Sequence, residues 1–395
     1  MYVAARGGEG AIQNAEALYN DLKAPIDADV VRAIERTMPY LIDRVMGEGS
    51  LYAPELAALA LAQTGGDLYE AVLILRAYRS TQPRLAYAEP VTTKMLFTVR
   101  RISAAFKDIP GGQVLGPTLD YSHRIFQLDV LDGKAAATGA ATAAFTPDTP
   151  DTLVPVQPVA PPEYPLVADW HRMAGLMAPL EKHADQDPSD VPDVTREPLL
   201  FPAPRAERLQ SLSRADTGGI LALGYANMRG YGAVHPTINE LRLGYADVQV
   251  HHPISGDLIS LGRVRVSQAE IVTHFANSAT GVFGANKEKR QNHKEELALG
   301  FAATMGWNEI KVIAAAMLDK AMDLPAPHPA HTEEFVLYHT DPVEASGFCI
   351  HYKLPHYVTF ASGMDAMRGA NQIAGDEGKS VSEQPEAELV AEAQE

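Results

Sequence analysis

The chain has 395 residues, a single cysteine at Cys349 and a formal net charge of −17, so it cannot close an internal disulfide or hold an iron–sulfur cluster by itself. That charge argues against a general nucleic-acid surface, which is built on Lys and Arg, and no apolar run approaches the roughly 20 residues that span a bilayer. The opening MYVAARGGEG has no apolar signal core, so the expected class is a cytoplasmic enzyme or complex subunit, with chain enough for more than one domain.

Residues 1–90 read as a helical region. From Asp27 to Met46, the side chains Val30, Val31, Ile34, Met38, Leu41, Ile42 and Val45 form a 3.6-residue stripe, which Pro39 should kink or split. Pro54 suits the first turn of a helix over ELAALALAQ, Gly65-Gly66 closes it, and Asp67 offers an N-cap to LYEAVLILRAYRS. From Leu96 the texture changes. LFTVRRISAAF and HRIFQLDVL read as strands flanking the loop KDIPGGQVLGPTLDYSHR, Lys107 to Arg124. Residues 134–204 read as an Ala/Thr/Pro-rich insertion or linker with a short helix around Val167 to His183.

Gly219 to Gly230 reads as a small-residue helix, LRLGYADVQVHH and LISLGRVRVS as strands, and Asn308 to Met322 as a helix. EEFVLYHT and GFCIHYKLPHYVTF suggest a closing hairpin, and residues 362–395 a disordered acidic tail. The predicted class is α+β. An N-terminal helical region precedes a mixed, mainly antiparallel body with packed helices, formed by residues 91–133 and 205–361.

Three clusters could carry chemistry. The first is the loop itself, where Arg100, Arg101, Lys107 and Arg124 gather on an acidic chain and the Gly111 and Gly112 amides could line an anion nest. Its glycine spacing fits neither a Walker loop nor a dinucleotide fingerprint, and a solvated basic hairpin explains it equally well. The second is YANMRGYGAVHP, where Arg229 between aromatic residues, Tyr231 among them, could wall a base or sugar pocket. His235 before Pro236 sits in extended backbone, where a histidine is more often structural than catalytic. The third is CIHYKLPH: on a strand Cys349 and His351 would share a face, and Pro355 could return His356 towards His351. Two imidazoles suit zinc, although the spacing matches no closed zinc motif and surface histidines on a hairpin are the plainer alternative.

Taken together, these blocks resemble the PhnI family of bacterial carbon–phosphorus lyase subunits. The resemblance is carried by MYVA-x-x-GGE at the start, RAYR at Arg76–Arg79, RRISAAFKDIPGGQVLGPTLDYSHR from Arg100, LALGYANMRGYG from Leu221, HP at His235, EEFVLYHTDPVEASGF from Glu333 and HYKLPHYVTF from His351. The insertion, the tail and residues of about 274–306 depart from the family pattern, and Cys349 falls where no required cysteine is expected.

The resemblance implies a reaction. With companion core subunits, including the iron–sulfur radical subunit, such chains displace adenine from MgATP by an alkylphosphonate and join the phosphonate to C1′ of the ribose; alone they look like purine nucleosidases. It also implies a metal role for His351 and His356. Cleavage at C1′ passes through an oxocarbenium-like state. A carboxylate would stabilise that state, and Asp108 and Asp120 are the candidates; His123 or His235 could act as acid to the purine. Arg100, Arg101, Lys107 and Arg124, with Gly111, Gly112, Gln113 and Tyr121, would bind triphosphate or phosphonate, and Arg229 and Tyr231 the nucleoside. Mg arrives with ATP. A non-catalytic scaffold subunit is the alternative.

Overall fold

The computed structural model describes residues 8–134, 163–179, 191–231, 236–276, 295–324, 327–354 and 357–375. Two compact units partition the chain, one formed by Ile26–Ala345 and the other by Met1–Pro25 with Ser346–Glu395.

The larger unit begins with four helices: α2 (Ala28–Thr37), α3 (Pro39–Gly49), α4 (Pro54–Gln63) and α5 (Leu68–Thr81), after α1 (Gly8–Asp21) of the smaller unit. The boundaries follow local chemistry. Asp27 caps α2 and Asp67 caps α5, each accepting two backbone N–H groups through Oδ1. Pro39 splits the predicted stripe at Met38 and takes the first position of α3. Ile42, Val45, Met46, Ala57, Ala58, Leu61, Val72 and Leu75 fill the core between them.

A four-stranded antiparallel sheet in the order β1-β2-β3-β4 forms the rest, from β1 (Phe97–Ile102), β2 (Thr237–His251), β3 (Leu258–Ala276) and β4 (Glu295–Met305). Among the described residues three α-helices enter between β1 and β2: α6 (Val167–Met173), α7 (Arg205–Arg214) and α8 (Thr217–Ala226). One sheet face buries Leu241, Ala269, Ile271 and Ala302 against α7, α8, α10 (Glu333–His339) and the helix after β4, α9 (Glu309–Ala321). Val272 points to the opposite face, as strand alternation requires, and packs with Ala168, Met177 and Phe106.

The α+β class stands, with three corrections to local readings. HRIFQLDVL is not a strand. β1 receives only an isolated bridge, Arg101 to Val114, on that side, and the chain then turns away at Gly116, where a Cβ would lie 2.2 Å from the Val99 carbonyl. Residues 115–134 run exposed, with Phe126 at 91%. The closing hairpin is instead helical: α10, then α11 (Pro342–Lys353) and α12 (Tyr357–Gly375). Asp341 Oδ1 accepts from the N–H groups of Val343 and Glu344 and starts α11 with Pro342 in its first turn. Helix α12 therefore stays regular past residue 362, where a tail was expected. β4, EELALGFAATM, was not foreseen. Residues 135–162 of the insertion and 376–395 of the tail lie outside the described residues. Among the described residues no helix is long and apolar enough to cross a membrane.

Candidate functional site

The loop after β1 is built around a buried guanidinium. Arg101 is fully enclosed. Its Nε donates to Glu240 Oε1, Nη1 to the carbonyls of Pro110 and Gly112 at 2.8 and 2.7 Å, and Nη2 to the Pro165 carbonyl at 2.8 Å. Tyr164 lies against it at 5.2 Å. The two glycines take positive φ, +82° and +75°, and a side chain at Gly111 would press on Pro165 and Tyr164. Gln113 closes the turn: its Oε1 accepts from Ser103 N–H, and its Nε2 donates to the carbonyls of Phe106 and Lys107.

Arg100, also buried, holds the loop's far side. Its Nε donates to Glu309 at 2.5 Å, Nη2 to Asp120 at 2.7 Å and Nη1 to the Leu115 carbonyl at 2.6 Å. It thus brackets two carboxylates that differ in origin. Glu309 stands in the first turn of α9, where the helix dipole favours an anion; Asp120 comes from the loop, is half-exposed, and also meets Arg124 at 3.3 Å. The Tyr40 phenol sits within electrostatic reach, its pKa raised by burial and then by Glu309, Asp43 and Asp120, with Arg100 opposing. Two carboxylates, a phenol and one cation converge here from α3, β1, the loop and α9.

Beneath the loop lies a buried polar layer. Glu240 and Glu270 are direct cross-strand partners, an arrangement that costs energy unless the charge is answered. Arg101 and Arg242 both bind Glu240. Glu270 is pushed up to about 7 by burial and then by Glu240. Asn239 links it onward, donating to Glu270 Oε2 at 2.9 Å while its Oδ1 meets His171 Nε2 at 2.8 Å.

The predicted residues divide accordingly. Arg100 and Arg101 support the loop, with all three nitrogens of each guanidinium going to protein acceptors. Of the two nest amides, Gly112 N–H donates to the Ile109 carbonyl at 2.9 Å, and the turn also offers the Pro110 and Gly112 carbonyls to Arg101. Asp108, Lys107, His123, Tyr121 and Arg124 are exposed. Arg229 stands in a π-helical turn, Asn227–Tyr231, 5.8 Å from the Tyr225 ring, on elements other than those of the bracket. His235 and His356 lie outside the described residues. Cys349 and His351 sit on α11, two residues and so about 200° apart, which corrects their shared strand face. Among the described residues no group of three or more His, Cys, Asp and Glu side chains is placed to hold a metal ion.

Sequence reasoning missed Glu309, Tyr40, Glu240 and Tyr164. A signal existed for the last two: adjacent arginines inside an apolar strand, FTVRRI, can be buried only against carboxylates and carbonyls supplied from elsewhere.

Residues 1–373 match the family described as "Bacterial phosphonate metabolism protein (PhnI)". The chain is 43% identical to the "Putative C-P lyase subunit protein HtxH" of Stutzerimonas stutzeri, covering 93% of this chain and 95% of that one. It is 39% identical to the "Alpha-D-ribose 1-methylphosphonate 5-triphosphate synthase subunit PhnI" of Escherichia coli K12, over 94% of this chain and 99% of that one. With the protein so named from Rhizobium meliloti it shares 37% identity over 93% and 94%. A match this long, running through the loop, the sheet and α9 alike, makes the chain a member of the PhnI family of bacterial phosphonate-metabolism proteins.

Proposed function

We propose that this chain is a subunit of a carbon–phosphorus lyase core complex that, with its companions, moves an alkylphosphonate onto C1′ of the ribose of MgATP. A phosphonate oxygen forms the new bond to C1′, the C1′–N9 bond breaks, and adenine leaves with a proton. The product is ribose 1-alkylphosphonate 5-triphosphate. Without phosphonate, water takes the same place and the chain behaves as a purine nucleosidase. The observation carrying this reading is the Arg100 bracket within a family whose relatives bear the synthase name.

In this reading Asp120 and Glu309 face the positive charge that develops at C1′, and Arg100 fixes their spacing. His123, exposed on the loop, would protonate the purine, and Tyr40 is a second donor. Asp108 is the alternative carboxylate. Lys107 and Arg124 screen the phosphoryl oxygens, and Mg comes with the triphosphate. Arg229 and Tyr231 remain candidates for the nucleoside. Zinc held by His351 and His356 would need further ligands from a companion subunit or water, and no step is assigned to it. Cutting the C–P bond falls to the iron–sulfur partner, since one cysteine cannot hold its cluster.

A scaffold role for the same chain is favoured by one observation: residues 115–131 expose Leu119, Ile125, Phe126 and Leu131 together, an apolar stretch suited to a subunit interface. The deciding experiment is adenine release from MgATP by the purified chain, alone and with companion subunits plus methylphosphonate. Loss of release in Asp120→Asn and Glu309→Gln with the complex still assembled on gel filtration supports the catalytic reading. Loss of assembly with turnover otherwise intact would replace it by the scaffold.

A further inference from the structure

A second group of arginines lies away from the loop, and among the described residues its charges are not balanced. Arg76 and Arg79 project from α5, Arg84 follows that helix, Arg196 stands in the turn Asp193–Glu197, and Arg214 ends α7. They are mutually close enough to repel: Arg84, Arg196 and Arg76 all act on Arg79, and Arg76 and Arg79 act on Arg214. Among the described residues, the carboxylates that act on Arg79 and Arg214 are Asp193 and Asp341. Among the described residues five guanidinium groups therefore meet two carboxylates, on a chain whose overall charge is −17.

The carboxylates are already committed. Asp341 takes Arg76 Nη1 on both oxygens, at 3.0 and 2.8 Å, and also starts α11. Asp193 takes Arg84 on Oδ2, and its Oδ1 holds the Thr195 amide and hydroxyl. Among the described residues Arg79 reaches only the Thr195 hydroxyl through Nη2, and Arg214 only the Val194 carbonyl through Nη1, leaving its buried Nε without an acceptor. The exposed Arg196 side chain makes no hydrogen bond or ion pair with the described residues. Burial first, and then the neighbouring cations, pull Arg214 down to about 10 and lower Arg79 as well. Such a cluster is stabilised by an anion with several acceptor oxygens, which planar guanidinium groups meet two bonds at a time.

We propose that Arg79, Arg196 and Arg214, beside Arg84, form a binding site for a phosphate-class oxyanion, a phosphoryl or phosphonyl group. The site is distinct from the Arg100 bracket and does not depend on the reading given to that bracket. Arg79 and Arg196 form its accessible rim; Arg214 lies deeper, held to the turn by Val194.

Calorimetric titration of the full chain at low ionic strength tests the site, with inorganic phosphate, methylphosphonate and tripolyphosphate as probes and chloride as the matched control. Saturable binding of at least one probe is expected, weakened about tenfold in Arg79→Gln and in Arg196→Gln. Tripolyphosphate binding far ahead of the other two identifies a polyphosphate chain as the ligand. Equal binding of phosphate and methylphosphonate identifies a single oxyanion group. No binding by any probe, or unchanged binding in both variants, overturns the proposal. Should Arg79→Gln fail to fold, Arg196→Gln still decides, because that side chain supports nothing else. Adenine release plays no part in the readout, so the two proposals fail separately.

Discussion

The two arginine groups invite comparison because a sequence cannot tell them apart. Arg100 and Arg101 are buried, and every nitrogen of theirs has an acceptor, drawn from the loop, the insertion's far end, β2 and α9. Arg79, Arg196 and Arg214 are more open to solvent, yet acceptors are short. Burial alone therefore does not mark a functional cation. What separates support from ligand site is whether each guanidinium nitrogen meets a protein acceptor: where all three do the arginine shapes the chain, and where one does not a solute can complete it.

The largest expected effect breaks the first group. Arg101→Met leaves Glu240 buried with one fewer cation and removes three carbonyl contacts, and should cost about 3–5 kcal/mol in denaturant unfolding. A loss under about 1 kcal/mol would mean that Arg101 is not the loop's centre. Next, Asp120→Asn or Glu309→Gln should lower adenine release by about a hundredfold or more while the melting temperature stays near that of the parent.

Lys311 carries the comparison to its limit. It is fully buried, its Nζ has no hydrogen-bond partner, and burial lowers its pKa to about 8. Lys311→Met should stabilise the protein by about 2 kcal/mol. Because the folded pKa lies below the unfolded value, the unfolded chain binds more protons between about pH 8 and 10.5, so this group makes stability rise with pH across that window. The slope should vanish in the variant.

Smallest is the effect at Glu270. Its folded pKa near 7 exceeds the model-compound 4.5, so the folded state holds the extra proton and this group's contribution is lost as pH climbs from about 4.5 to 7. Glu270→Gln should flatten that fall in urea midpoints measured across the range. An unchanged slope would place the titration on another group.

Helices were legible where local chemistry sets them. Asp27, Asp67 and Asn308 are caps whose side chains bond the next turn, and Pro39 splits α2 from α3 by removing a donor. The closing helices were misread because Phe348, Ile350, Tyr352 and Val358 suit strands on propensity, which tertiary context overrides; the Asp341-Pro342 start was the better signal. β4 hid in alanines, whose strand preference is low. Within the site, the loop's special shape was plain from Gly111, Gly112 and Gly116, but the fate of Arg100 and Arg101 was not. Their partners, Glu240 and Glu309, stand 139 and 209 residues away, and nothing local announces a contact at that distance.

That separation bears on how the protein reaches its fold. The acceptors of Arg101 lie 9, 11, 64 and 139 residues along the chain, so the loop carbonyls can close early while Pro165 and Glu240 arrive only after long loops have closed. Until β2 docks beside β1, the guanidinium is half satisfied and water still competes for it. The loop thus acquires its final shape by coincidence of four distant stretches, and a chain that has misassembled its sheet cannot present a finished loop to a substrate or a companion.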